Sequence, residues 1–162
     1  MAPFSSVRFQ VPLDALYRWR YNTHGNEVIC LYEIEYYKDR RGNEPVKEYI
    51  SNLAKQKSKD SRIKVTKIVE YLDALSKAGL TLKEPYIKHL MEEIWELRPL
   101  RDRILFVAWD GEKFLLLHHF MKATAKTPRN EIETAKRRLE DAKLQKAEQA
   151  EQEARKEKQN EL

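Results

Sequence analysis

IWELRPLRDRILFVAWDGEKFLLLHHFMKATAK, residues 94–126, is the stretch whose reading decides the fold. Two apolar runs, Arg103–Trp109 and Phe114–Phe120, flank Asp110-Gly111. An Asp-Gly pair between β-rich runs predicts a hairpin, because the turn needs positive φ and Gly supplies it. Ahead of the first run, Trp95-Glu96-Leu97-Arg98 alternates apolar and charged, the period of a half-buried strand, and Pro99 ends it. The stretch therefore predicts a three-strand meander. Basic residues fall near its strand ends: Arg98, Arg101, Arg103, Lys122, Lys126 and, just beyond, Arg129. From Arg98 to Arg129 there are seven Lys/Arg and three Asp/Glu, and a basic excess confined to one edge of a sheet suits a polyanion.

Toward the N-terminus, Val28–Tyr37 predicts a strand with Cys30, Tyr32, Ile34 and Tyr36 on one face. Arg41-Gly42-Asn43 predicts a turn into a helix capped by Asn43 or Glu44, with Pro45 in its first turn, where a missing N–H is harmless. Val46, Tyr49, Ile50 and Leu53 make that helix's buried stripe. A second helix is expected from about Asp60 to Ala78, with Gly79 as its C-terminal cap. Residues 80–93 are expected to be a loop broken by Pro85. Beyond the meander, Thr127-Pro128 starts a third helix whose apolar face is Ile132, Ala135, Leu139 and Ala142.

The expected order is β-α-α-β-β-β-α, an α+β fold with a helical hairpin packed on one face of a small, mostly antiparallel sheet and a long C-terminal helix. Three regions are expected: a poorly ordered leader at 1–27, a folded domain at 28–142, and a charged helical tail at 143–162. The tail holds five basic and five acidic side chains and almost no large apolar ones.

Composition narrows the function classes. Charged residues make up 35% of the chain and the net charge is +5, only mildly basic, so position matters more than total. No apolar run approaches the length that spans a membrane. One cysteine, Cys30, and no signal-peptide pattern make a reducing cytoplasmic setting the expectation. Metal and cofactor chemistry is not expected. The four histidines form no helical i, i+4 pair, adjacent strand histidines cannot chelate one ion, and no Gly-rich phosphate loop is present.

IWELR (94–98), RILFVAWDG (103–111), LLLHHFMKATAKTP (115–128) and EIETAKRRL (131–139) together resemble the RelE/ParE toxin superfamily, and within it the phage-derived HigB-like branch. Residues 28–93 are similar in element order and in the Pro85…Lys88…Leu90 spacing. The resemblance implies a RelE-like fold and a type II toxin–antitoxin toxin that cleaves mRNA on the ribosome without metal. The implied partners are the message, the ribosome and a helix-turn-helix antitoxin encoded nearby. The ParE side of the superfamily poisons DNA gyrase instead. The candidate partner surfaces are the first helix, through Tyr49 and Leu53, and the third, through Ile132 and Leu139.

Metal-free RNA cleavage needs a base for the 2′-hydroxyl, cations for the transition-state charge, and an acid for the leaving 5′-oxygen. By resemblance, Arg103 is the phosphate clamp, and His118 and Lys122 complete the catalytic set. Arg98, Arg101, Lys126 and Arg129 are the candidate RNA contacts. His118 and His119 are successive strand residues and point to opposite faces, one expected toward the helices and one toward the open face or a cleft. Glu96 departs from the alternating basic pattern of ribosome-dependent toxins. It reads either as a base or as the ion-pair partner of Arg98, Arg103 or a lysine.

Overall fold

A computed structural model of the chain describes residues 32–160. The elements are β1 (Glu33–Tyr36), α1 (Pro45–Lys55), α2 (Lys59–Ala78), β2 (Ile87–Met91), β3 (Ile94–Leu97), β4 (Asp102–Trp109), β5 (Lys113–Met121) and α3 (Arg129–Asn160). The expected leader at 1–27, and the part of the predicted first strand before residue 32, lie outside the described residues.

One sheet carries all five strands in the order β1-β5-β4-β3-β2. β5, β4, β3 and β2 pair antiparallel in turn, and β1 pairs parallel with β5. The α+β class and the mostly antiparallel sheet agree with the sequence reading. The turn between β4 and β5 uses the predicted chemistry, with Asp110 at φ 50° and Gly111 at φ 75°. The addition is β2, which occupies part of the stretch expected to be a loop. Its five residues, IKHLM, carry no clean alternation and follow Pro85 closely. Pairing with β3 decides their state.

The helical hairpin, α1 and α2, covers one face of the sheet as expected, and α3 covers the other. Leu105 and Val107 of β4 and Leu115 and Leu117 of β5 pack with Ala135 and Leu139 of α3. Alternate residues of β4 turn to the other face, where Asp102 meets Tyr49 of α1. The reason is that two apolar sets exist on the central strands. Residues 104–107 and 114–117 are all buried, as strands covered on both sides must be.

Capping follows local rules in part. Pro45 opens α1, and the Glu48 carboxylate accepts from the Glu44 backbone N–H. Ser58 caps α2 by accepting from the Ser61 N–H. Val46, Ile50 and Leu53 of α1 and Val65, Ile68, Leu72 and Leu75 of α2 are buried. Each such side chain contributes roughly 1.5–3 kcal/mol relative to leaving it exposed. Leu53 and Leu139 therefore belong to the core rather than to a partner surface, and Ile132 is half-buried beside α3's first turn.

α3 runs without a break through the expected boundary at residue 143. Along its docked length, Arg138 donates to the Leu117 carbonyl (2.9 Å), and Asp141 accepts from Tyr37 (2.6 Å) and Arg40 (3.1 Å). Arg40 also grips Glu148 through both terminal nitrogens, at 2.9 and 3.0 Å. From residue 149 to 160 every side chain is exposed.

Gly79, just past α2, sits at φ 59°, ψ −145°. A Cβ there would lie 2.6 Å from the Tyr32 ring, and the backbone conformation is one that L residues avoid. Gly79→Ala is expected to destabilise the fold by about 1–3 kcal/mol. Thermal or urea unfolding checks it, and an unchanged midpoint would remove the constraint.

Candidate functional site

The groove starts from strand parity. Glu96 and Arg98 alternate onto the α3 face of β3, and Arg103 joins them because its neighbour Leu105 packs toward α3. On β5, His118 pairs across from Leu105 and Phe120 from Arg103, so both share that face. α3 covers only part of it. The uncovered part, between β2, β3, the start of β4 and the loop at 122–127, is a groove of about 250 Å³. Lys88, Arg98, Arg103, Lys122 and Lys126 line it with a single carboxylate, Glu96.

Arg103 is 6% exposed. One of its terminal nitrogens donates to the Leu100 and Asp102 carbonyls, both at 2.8 Å. Burial lowers its proton affinity from the ordinary arginine value, and Glu96 opposes that. The Nε of Arg103 lies 3.5 Å from Glu96 Oε1, and the Nε of Arg98 lies 3.4 Å from the same oxygen. The other oxygen of Glu96 accepts from the Thr127 hydroxyl at 2.5 Å. Thr127, which reads in the sequence as a helix cap, donates instead to a strand carboxylate.

His118 faces α3 behind the groove. Its Nδ1 accepts from Arg138 at 3.0 Å and its Nε2 meets the Glu131 carboxylate, which assigns the proton to Nε2. Burial lowers its pKa, and the Arg138 charge lowers it further against the Glu131 contact. His119 points the other way. It stacks on Tyr49 with ring centroids 3.5 Å apart and donates to Asp102 Oδ1 at 2.9 Å. Tyr49 donates to the same oxygen at 2.7 Å. Burial raises the Asp102 pKa, but these two hydrogen bonds outweigh it and leave it below the ordinary value. Each of the two histidines thus meets a helix, and neither faces an open surface.

Of the predicted site residues, the structure brings Arg98, Arg103, Lys122 and Lys126 together in the groove. His118 shares their face but is turned into the α3 contact. Arg101 lies outside, on the β3–β4 turn, donating to the Lys122 carbonyl at 3.3 Å. Arg129 is 93% exposed and pairs only loosely with Glu133, at 3.9 Å. Lys88 and Thr127 were given no site role by the sequence. Lys88 enters through β2, the strand that reads as a loop. Among the described residues, no three His, Cys, Asp or Glu side chains converge as metal ligands would. No described helix is long and apolar enough to cross a membrane.

Residues 49–140, more than half of the chain, match the family described as phage derived protein Gp49-like (DUF891). The chain belongs to that family. It is a RelE/ParE-like toxin family, so the toxin resemblance carried by residues 94–139 holds at that level. The matched span starts within α1 and ends within α3, so it includes every residue lining the groove. Among curated proteins, nothing matches the chain.

The His118 contacts predict a pH dependence of stability. Its folded pKa lies below 6.5, so as pH falls the unfolded chain takes up the proton first. Its stabilisation is full above about pH 6.5 and drains away as pH falls through the folded value. Thermal unfolding of the parent should therefore weaken between pH 7.5 and 5.5, and His118→Gln should flatten that slope. Equal slopes in the two proteins would refute it.

Proposed function

We propose that this protein is the toxin of a type II toxin–antitoxin pair, of the HigB-like kind, and a metal-independent endoribonuclease that cuts mRNA on the ribosome and so blocks translation. The family membership supports the toxin part. The observation that carries the RNA part is the groove, where four other cations and the Glu96 carboxylate surround a buried, backbone-held Arg103. A planar guanidinium fixed in this way suits a phosphate whose charge grows in the transition state. In this reading Arg103 and Arg98 hold the scissile phosphate, the 2′-hydroxyl loses its proton to solvent water as its oxygen attacks phosphorus, Lys122 protonates the leaving 5′-oxygen as the P–O5′ bond breaks, and Lys126 holds the message backbone. His118, which the resemblance puts in the catalytic set, acts from behind through its contacts with α3. Silencing in the cell falls to a helix-turn-helix antitoxin encoded nearby.

One observation favours a second reading. Both ring nitrogens of His118 are engaged and Glu96 is shared between two arginines, so neither offers a free base. A non-catalytic protein of the same fold, either a gyrase poison or a decayed partner-binding module, fits that feature.

Primer extension on a defined message with purified ribosomes separates the two. The first reading expects codon-aligned breaks. Arg103→Ala and Arg103→Lys should each lose about 100- to 1000-fold in cleavage, the scale of one electrostatic transition-state contact. Intact message with the folded parent would favour the second, with inhibited gyrase supercoiling marking a poison and unaffected supercoiling a partner-binding module.

A further inference from the structure

Among the described residues lining the cationic groove, Glu96 is the one acidic side chain, and it is 3% exposed. It sits mid-sheet, paired with Lys88 on β2 and Leu105 on β4. A carboxylate buried this deeply needs compensation, and two guanidiniums share one of its oxygens while Thr127 fills the other. Conversely, two guanidiniums side by side repel unless an anion stands between them. At 3.4 and 3.5 Å the contacts with Glu96 neutralise charge without forming good hydrogen bonds. The Nε of Arg98 is buried with no hydrogen-bond partner. Among the described residues, the charged group facing its outer nitrogens is Glu84, at 3.8 Å from Nη1.

We propose that Glu96 is a positioning residue that acts as the groove's internal anion: pinned by Thr127, it aligns Arg98 and Arg103 as one seat and limits how tightly that seat holds phosphate. This rests on reading the groove as a phosphate seat for RNA. Removing the charge has two opposite effects. The attraction of the whole groove for phosphate rises, because a nearby negative charge is gone. The two guanidiniums lose the anion that sets their spacing, so the reaction they serve slows. A structural role alone would weaken both binding and turnover, and a role as base alone would leave binding unchanged.

The experiment uses the full chain and inorganic pyrophosphate as the probe, titrated by calorimetry. Glu96→Gln should bind it about threefold or more tightly than the parent, because a unit negative charge beside the seat is gone. Thr127→Val, which keeps the carboxylate charge and removes only its pin, should lower kcat and leave pyrophosphate binding within about twofold of the parent. On ribosome-bound message, Glu96→Gln should lower KM and kcat together. Pyrophosphate binding that is unchanged, weaker or undetectable in Glu96→Gln overturns the proposal, as does a raised KM. Circular dichroism checks folding, and should Glu96→Gln fail to fold, Thr127→Val decides: lowered kcat with pyrophosphate binding kept supports the proposal, and unchanged kcat or weaker binding overturns it. Tighter pyrophosphate binding in a protein whose parent cuts no RNA leaves the Glu96 assignment standing and removes the ribonuclease reading instead.

Discussion

A single extra residue in β5 changes which side of the sheet every later side chain of that strand faces. Leu105 of β4 pairs with His118, but Phe106 pairs with Leu116, so Leu117 has no opposite number. Before this bulge the odd positions, Leu115 and Leu117, pack toward α3. After it the even positions do: His118, Phe120 and, past the strand end, Lys122. Regular pleating from Leu115 would send all three to the α1–α2 side. The bulge is thus what puts Lys122 and Phe120 in the same groove as Arg103, and bulges beside functional sites commonly re-aim side chains in this way.

The same irregularity ties both helical layers to one dipeptide. His118 bonds to Glu131 and Arg138 of α3, and His119 bonds to Asp102 and stacks on Tyr49 of α1. Asp102 then touches the site through its backbone, since its carbonyl accepts from Arg103. The position of Arg103 is therefore tied on one side to the α1 layer and on the other to Glu96. The ion pairs farther along α3, with Glu93, Asp110 and Arg40, lie at the surface, where water screens them and leaves little net stabilisation. Burial of Ala135 and Leu139 against β4 and β5 outweighs any one of them.

Much of this fold was legible in the sequence where local chemistry and long-range packing agree. Asp110-Gly111, the α1 and α2 stripes and Pro45 each name their element without help from elsewhere. β2 did not, because an edge strand of five residues takes its state from its neighbour. Nor did the two-sided cover of the sheet, since Leu115-Leu116-Leu117 signals burial on both faces but not which helix supplies it. At the site, Arg98, Arg103, Lys122 and Lys126 were readable as strand-end cations. The bulge was not, so alternation put His118 and Lys122 on one face without saying which. Thr127 looked like a cap because Thr-Pro before a helix usually is one, and only the tertiary approach of Glu96 redirects its hydroxyl.

The charge inventory of the groove bears on whether it is a site at all. A buried ion pair is weak evidence for stability, because desolvating both partners offsets most of their attraction. Were Glu96 there only to neutralise Arg103, one carboxylate and one guanidinium would close the account. Instead Arg98 adds a second guanidinium on the same oxygen, and Lys88, Lys122 and Lys126 add three ammonium groups around it. Five like charges facing one groove repel each other, and a fold selected for stability alone gains nothing by gathering them. The arrangement is relieved when an anion with several oxygens enters, because its negative charge offsets the repulsion and its oxygens can be shared among the cations. Arg103 differs from the rest in that the Leu100 and Asp102 carbonyls hold it in place before any ligand arrives. A donor fixed in advance loses little freedom on binding, which is the condition under which one charged contact contributes most to a transition state.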